Sequence, residues 1–363
     1  MDDSTQTAVS VIVPARNEEA VLGTCLRSLV GQRLPRVYSQ SRGPSTAVAS
    51  AKADGTFAQD DTARSFEMVV VDDHSTDRTR EIAQGFPVRV IDAAPLPEGW
   101  SGKCNACWSG AKAARGKWLL FTDADTQHQT DSIAQGLHEA EETGAALLSY
   151  SPKQEVRGLA ERALMPVIFA ELARTYKPKD VSDPNSPAAA ANGQYLLVRR
   201  DAYDAVGGHA AVATAILEDV ELARRVKQAG YRLQFRMSDV VRTRMYRTFG
   251  QMWEGWTKNL ALLFPWPLEL AMKRLSEFLF MLLFFGAALF SLGIHDWTGL
   301  ATDVVILSIP AFFFVRRIRR AHFDWLSNAL AIFGLPLFSL LLVNSVISHK
   351  SGRVKWKGRV YGG

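Results

Sequence analysis

Three long apolar runs, at about residues 275–294, 299–315 and 326–347, close a 363-residue chain whose first 250 residues read as ordinary soluble protein. Each run approaches the roughly 20 residues that an α-helix needs to cross a bilayer core. A chain of this kind is neither a purely soluble enzyme nor a collagen-like, disulfide-scaffolded or wholly disordered one. Its length allows two units, one of them large enough for a full α/β core. The expected organisation is a tail over residues 1–8, a globular domain over 9–250, an interfacial segment over 251–274, transmembrane helices over 275–348 and a basic tail over 349–363.

The net charge of +5 is concentrated where the apolar runs are. Basic residues cluster at 316–320 and 350–359, so anionic lipid rather than nucleic acid is the expected partner. Under the positive-inside rule Arg316-Arg317-Ile318-Arg319-Arg320 faces the cytoplasm, which predicts a multi-pass protein of the inner (cytoplasmic) membrane with its globular domain on the cytoplasmic side. Three crossings would then leave the basic tail on the far side, a conflict. A break at Gly334-Leu335-Pro336, making the last run a re-entrant hairpin, would remove it; so would a dip of residues 253–272 into the bilayer. Residues 1–7 are polar and acidic, unlike a signal peptide. Three cysteines cannot form a disulfide framework, and a reducing compartment is expected.

Within the globular part, short β-branched or apolar runs at residues 9–13, 68–71, 88–91 and 118–121 alternate with helical patterns at 20–30, 77–85 and 105–114. This alternation predicts βαβ units and a mostly parallel sheet. Further strands are expected at 195–198 and 231–235, and further helices at 159–176 and 220–229. Residues 34–65, rich in Ser, Ala, Gly and Asp, are expected to be a disordered insertion.

Ligands of such a sheet bind beyond the carboxyl ends of its strands. Three strand ends carry polar clusters there: Arg16-Asn17-Glu18, Asp72-Asp73 and Asp123-Ala124-Asp125. The last places two carboxylates on one turn, a set that suits Mg²⁺ or Mn²⁺ bridging a diphosphate, whereas D-x-D alone is more often a surface turn. Asp72-Asp73 reads either as a ligand-binding pair or as a helix-capping turn with Ser75 and Asp77. Gly99-Trp100-Ser101-Gly102-Lys103 is a flexible turn before a helix and suits a diphosphate, though its spacing is not that of a Walker loop. Glu218-Asp219 opens a helix, where the acids either complement its dipole or supply a general base. Cys104-x-x-Cys107 has half-site spacing with no second pair, and reads as two small apolar side chains on one helix face. The seven histidines form no ligand array.

Taken together, Val11-Ile12-Val13-Pro14-Ala15-Arg16-Asn17-Glu18, Val71-Asp72-Asp73-His74-Ser75-Thr76-Asp77, Asp123-Ala124-Asp125, Val206-Gly207-Gly208 and Glu218-Asp219-Val220-Glu221-Leu222, followed by Lys227-Gln228-Ala229-Gly230, resemble a family 2 glycosyltransferase over residues 8–250. Gly99–Lys103, Asp183-Pro184 with the small-residue run 188–193, and the tail Trp356-Lys357-Gly358-Arg359-Val360-Tyr361 resemble its membrane-bound hopene-associated and carotenoid glycosyltransferases. The resemblance implies a GT-A, Rossmann-like fold followed by C-terminal transmembrane helices. It implies a nucleotide-diphosphate sugar donor, with UDP-sugar expected, and a divalent cation. Pro14, Ala15, Arg16, Glu18, Asp72 and Asp73 would surround the nucleotide, with Asp73 at the base. Lys103 would face the diphosphate, and Asp123 and Asp125 would hold sugar and metal. Asp219, beside Glu218, would be the base of an inverting transfer.

Processive members carry Q-x-x-R-W, whereas this chain reads Gln251-Met252-Trp253-Glu254-Gly255-Trp256. The missing arginine favours transfer of a single sugar. Trp253, Trp256 and Lys258 are expected at the membrane surface, near a lipid acceptor whose hydroxyl receives the sugar. A polyprenyl-phosphate acceptor and a non-catalytic scaffold with a degenerate transferase fold are the competing readings. A transporter is disfavoured, because Asp303, an acid within an apolar run, has no evident partner.

Overall fold

The β-branched run at the N-terminus becomes an inner strand of an eight-stranded sheet. In the computed structural model, which describes residues 7–32, 66–356 and 359–361, the chain runs β1 (Val9–Ala15), α1 (Leu22–Val30), β2 (Phe66–Asp72), α2 (Thr79–Gln84), β3 (Arg89–Asp92), α3 (Gly102–Ala113), β4 (Trp118–Phe121), β5 (Thr126–His128), α4 (Ser132–Thr143) and β6 (Leu147–Gln154). It continues through α5 (Leu159–Thr175), α6 (Pro178–Ser182), β7 (Leu196–Arg199), α7 (Arg200–Ala205), α8 (Glu218–Gln228) and β8 (Leu233–Thr243). The expected insertion at 34–65 lies wholly outside the described residues, which resume with β2 at Phe66.

The sheet order is β3-β2-β1-β4-β7-β6-β8-β5. β3, β2, β1 and β4 are mutually parallel, as are β6 and β8; β7 and β5 run against their neighbours. It is thus a mostly parallel, mixed sheet of the Rossmann-like GT-A kind. Side chains alternate across it as a two-faced sheet requires. Ile12, Val69, Val71 and Leu119 pack against α3 and α8, while Val9, Val11, Val13 and Leu120 pack against α1 and α4. The expected strands all form; β5, β6 and α4 lie in a stretch where no element was expected.

α9 (Phe249–Leu263), α10 (Pro267–Gly293), α11 (Trp297–Ile318), α12 (Trp325–Lys350) and the hairpin β9 (Val354–Trp356) and β10 (Arg359–Tyr361) complete the chain. α10, α11 (extended to Ala321) and α12 are long and apolar enough to cross a membrane. The segment 251–274 divides between α9 and the first turns of α10, so the first apolar helix starts earlier than its apolar run. α12 is unbroken through Gly334-Leu335-Pro336, which overturns the re-entrant hairpin. Gly334 is there for closeness: a Cβ on it would stand 2.0 Å from the Ala163 carbonyl oxygen of α5.

Two further expectations change. Arg317 does not join the exposed Arg316, Arg319 and Arg320 but turns inward. Its guanidinium lies 2.9 Å from Glu277 and 3.2 Å from Glu171, and Arg274 lies 2.7 Å from each of the same acids. This buried ion cluster ties α5 of the globular domain to α10 and α11. Asp303 has a partner, accepting a hydrogen bond from Ser291 Oγ at 3.0 Å.

Candidate functional site

The loops after β1, β2 and β4 and the start of α8 enclose one cleft. The first two loops are laced together: Asp73 N donates to the Ala15 carbonyl (2.8 Å), Thr76 N to Asn17 Oδ1 (2.9 Å), and Glu18 N to Thr79 Oγ1 (2.7 Å). Arg16 donates to the Asp73 carbonyl at 2.8 Å, and its guanidinium lies 3.7 Å from the Asp73 carboxylate. Pro14, Ala15, Arg16, Glu18 and Asp73 therefore line the cleft. Asp72 does not. It accepts from Ser75 N (3.2 Å) and pairs with Arg80 (3.3 Å), so it shapes the turn, and its expected place at the nucleotide is corrected. His74 adopts a left-handed conformation (φ 56°) as a turn residue.

Ser101 caps α3 by accepting from Cys104 N at 3.1 Å, which starts the helix at Gly102. Lys103 thus stands in a first helical turn rather than in a flexible loop. Its ammonium bridges Asp123 Oδ1 (2.8 Å) and Glu218 Oε1 (2.9 Å). Burial opposes this charge, but Asp123, Glu218 and Asp219 outweigh it and hold the lysine well above its usual range. Cys104 and Cys107 are buried free thiols on α3, as their spacing implied, and burial raises both.

The two acids opening α8 are driven apart. Burial disfavours both charges, yet Lys103 and Lys258 hold Glu218 below the ordinary carboxylate range. Burial and the adjacent Glu218 instead push Asp219 up to about 6, against Lys103 and two backbone N–H donors. Those donors are Gly193 N (2.8 Å) and Val220 N (2.8 Å). Two neighbouring acids, one kept ionised and one made basic, is the arrangement acid–base sites use. Gly193 belongs to the small-residue run expected near the cleft, and a Cβ there would lie 2.9 Å from Lys103 Nζ and 3.6 Å from Asp219.

Asp123 and Asp125 leave one turn and face the cleft together. That turn is braced by Thr122, whose hydroxyl donates to the Gln194 carbonyl (2.8 Å) and meets His128 Nε2 (3.0 Å). Burial lowers His128 to about 3, so it is a neutral structural group.

The cleft has two lobes, each about 210 Å³, that meet at Lys103, Asp123, Gln194, Met245, Lys258 and Asn259. One holds Pro14, Arg16, Glu18, Asp73 and Asp125. The other is walled by Phe169, Leu172, Tyr176, Phe235, Met237 and Trp256, with Glu218 and Asp219 at its inner end. Trp256 and Lys258 therefore line the cleft and not an outer surface. Trp256 is 3% exposed and donates from Nε1 to Met165 Sδ, and burial lowers Lys258 against the pull of Glu218. Trp253 is half-buried, near Phe249 at a ring separation of 5.7 Å. Phe169, Tyr176, Gln194, Met245, Tyr246 and Asn259 were not anticipated; they come from α5 and the residue after it, the approach to β7, the β8–α9 connection and α9, outside the strand-end motifs, and no local pattern marks them.

Residues 10–207 match the model of the glycosyl transferase family 2, and residues 118–315 match that of glycosyl transferase family group 2. The 4,4'-diaponeurosporenoate glycosyltransferase of Staphylococcus aureus (strain USA300) is 25% identical over 98% of this chain and 88% of its own length. Its namesake in Staphylococcus haemolyticus (strain JCSC1435) is 27% identical over 99% of this chain and 90% of its length. Among solved structures, the mannosyltransferase PcManGT from Pyrobaculum calidifontis, in complex with GDP-Man and Mn²⁺, covers 96% of this chain and 88% of its own at a TM-score of 0.53 and 17% identity.

Proposed function

From the premise that this chain belongs to glycosyl transferase family 2, we propose that it moves one sugar from a nucleotide-diphosphate donor, a UDP-sugar, to a hydroxyl of a carotenoid-like membrane lipid, with inversion. The observation that carries this reading is the junction of a polar and an apolar lobe at Lys103 and Asp123, with Asp219 on the apolar side of it. The polar lobe suits a nucleotide, with Arg16 and Asp73 toward the base. The apolar lobe suits the greasy end of a lipid, and its inner end brings a nucleophile to Asp219.

Asp219 takes the proton from the incoming hydroxyl, a task for which its raised pKa fits it better than Glu218. Glu218 instead holds the Lys103 ammonium at the junction, where charge gathers on the departing diphosphate. A base at the attacking oxygen and a cation at the leaving diphosphate favour in-line displacement and inversion.

Asp123 and Asp125 fit a divalent cation. Two carboxylates from one turn line the polar lobe, and among the described residues no cluster of three His, Cys, Asp or Glu forms a protein-only cage. Mg²⁺ or Mn²⁺ takes such a pair together with phosphate oxygens of a bound nucleotide. When bound, the ion would neutralise charge on the leaving diphosphate. The neighbour PcManGT was solved with Mn²⁺ and GDP-Man.

Mass spectrometry of lipid extracts from cells with and without the protein tests the reading. The expected result is an apolar lipid heavier by one sugar residue only where the protein is present. Unchanged lipids, or a new ladder of several sugars, would contradict it.

A further inference from the structure

α12 is apolar along its whole length, yet it is fastened to the globular domain at both ends. At its start, Asp324 pairs with Arg162 of α5 (3.1 Å), and Phe323, just before it, meets the Phe169 ring at 6.0 Å. A third of the way along, Gly334 touches the Ala163 carbonyl. Near its middle, Phe338 meets Phe264, between α9 and α10, at 6.1 Å. Near its end, Ser345 Oγ donates to the Thr257 carbonyl of α9 (2.6 Å) and accepts from Ala261 N (2.9 Å), and His349 Nε2 lies 2.8 Å from the Lys258 carbonyl. The β9 strand that follows packs back onto α9, with Val354 buried.

A 26-residue helix is about 39 Å long. Crossing a hydrocarbon core would separate its ends by about 30 Å along the bilayer normal. The ends of α12 instead meet α5 and α9, the two helices that wall the apolar lobe of the cleft. α10 and α11 behave differently. α10 packs beside α12 through its first half, both helices meet α5 through Arg274, Glu277 and Arg317, and from there they run out as an antiparallel pair joined near its tip by Ser291 and Asp303. Their most apolar stretches are 11% and 6% buried, against 44% for α12.

We propose that only α10 and α11 cross the bilayer, and that α12 lies along its surface on the side of the catalytic domain. Its outer face, carrying Trp325, Phe333, Leu340, Val343 and Ile347, is exposed and sits in lipid, continuous with the bare apolar surface of the α10–α11 pair. Its inner face is covered by protein. Exposed Arg316, Arg319 and Arg320 before the helix, and Lys350 and Arg353 at its end, flank it with positive charge suited to anionic headgroups. The uniform apolarity that makes α12 look like a span is thus the sum of a lipid-facing and a protein-facing stripe. Two crossings also bring the basic tail back to the side of the catalytic domain, which removes the conflict that three crossings create. The inference concerns how the chain sits in the membrane and holds whichever sugar or acceptor is used.

Single cysteines test it in the full chain, since native Cys25, Cys104 and Cys107 are buried. Glu98→Cys reports the catalytic domain, Ile294→Cys the α10–α11 tip, and Ser351→Cys the end of α12; all three positions are exposed. Sealed membrane vesicles of known orientation are treated with a membrane-impermeant maleimide. The expected result is that residue 351 is labelled from the same side as 98 and loses its labelling on the side where 294 reacts. Labelling of 351 with 294, or equally from both sides, overturns the proposal. Arg353→Cys repeats the measurement should Ser351→Cys fail to accumulate. Spin labels at 333, 340 and 347 provide a second readout: one common shallow depth is expected, and a depth profile peaking at the bilayer centre overturns it. Neither readout needs turnover, so a misassigned reaction and a misassigned topology fail separately.

Discussion

The two lobes of the cleft are equal in volume and share one boundary, yet their linings are opposite in character. The polar lobe is built by strand-end loops whose positions are set by the sheet and by backbone hydrogen bonds between neighbouring loops. The apolar lobe is built by α5, β8 and α9, which α12 and the first turns of α10 brace from outside. One lobe is therefore a product of the strand-end loops, and the other mainly of helices packed beside the sheet. The difference teaches how strand-end loops and packed helices can furnish two unlike walls of a single cleft.

If the lobes divide the labour in this way, substitutions at their junction should abolish turnover and substitutions in one lobe should affect one substrate. The largest effect is expected for Asp219→Asn, a fall of about 10²–10⁴-fold in kcat with the donor KM little changed. A mild loss, measured by steady-state rates, would indicate a phosphate acceptor that needs no base. Lys103→Ala is expected to cost about 10²–10³-fold in kcat. It also takes one of two cations from the buried Glu218, and because Lys103 is partly exposed the destabilisation seen in thermal unfolding should be about 1–2 kcal/mol.

Gly193→Ala places a methyl against Lys103 and near Asp219, and a fall of roughly 10–100-fold is expected from displaced groups alone, with the melting temperature nearly unchanged. Met237→Ala, in the apolar lobe only, should raise the acceptor KM by about tenfold and leave the donor KM alone. If the donor KM rose instead, the lobes would have been assigned the wrong way round.

The smallest effect concerns pH. Asp219 acts as a carboxylate, and its pKa is raised to about 6, so kcat/KM should fall as pH drops through 6 and reach half its plateau there. Stability has the opposite sign for this group. The folded state binds the proton more tightly than the unfolded chain does, so between about pH 4 and 6 its contribution to stability falls as pH rises. An inflection of the pH–rate profile near 4 would contradict the raised pKa.

The polar lobe was legible in the sequence because its signals are local. Asp123-Ala124-Asp125 after residues 118–121, and Arg16-Asn17-Glu18 after residues 9–13, are strand-then-loop patterns that a parallel sheet converts into one edge. Even there, the choice between Asp72 and Asp73 depended on Arg80, a partner that no spacing rule identifies. The apolar lobe was not legible. Phe169, Met237 and Trp256 look like any core residues until their helices are packed. Lys258 looks like a surface cation until α9 is turned inward by its bonds to Ser345 and His349. Glu171 in α5 carries no mark that it meets Arg274 and Arg317 from helices about 100 residues or more away. Such features arise from long-range packing, which residue periodicity does not encode.

Transfer of sugar to a lipid through Asp219 is the step that the proposed function requires. Membranes carrying the protein would be given a radiolabelled UDP-sugar and a carotenoid-type lipid acceptor, and label in the organic phase counted for the native chain and for Asp219→Asn, with EDTA and with Mn²⁺ added back. The expected result is labelled lipid from the native chain, lost with EDTA, restored by Mn²⁺, and absent for Asp219→Asn. Label released only as free sugar, or equal lipid labelling by Asp219→Asn, would contradict it.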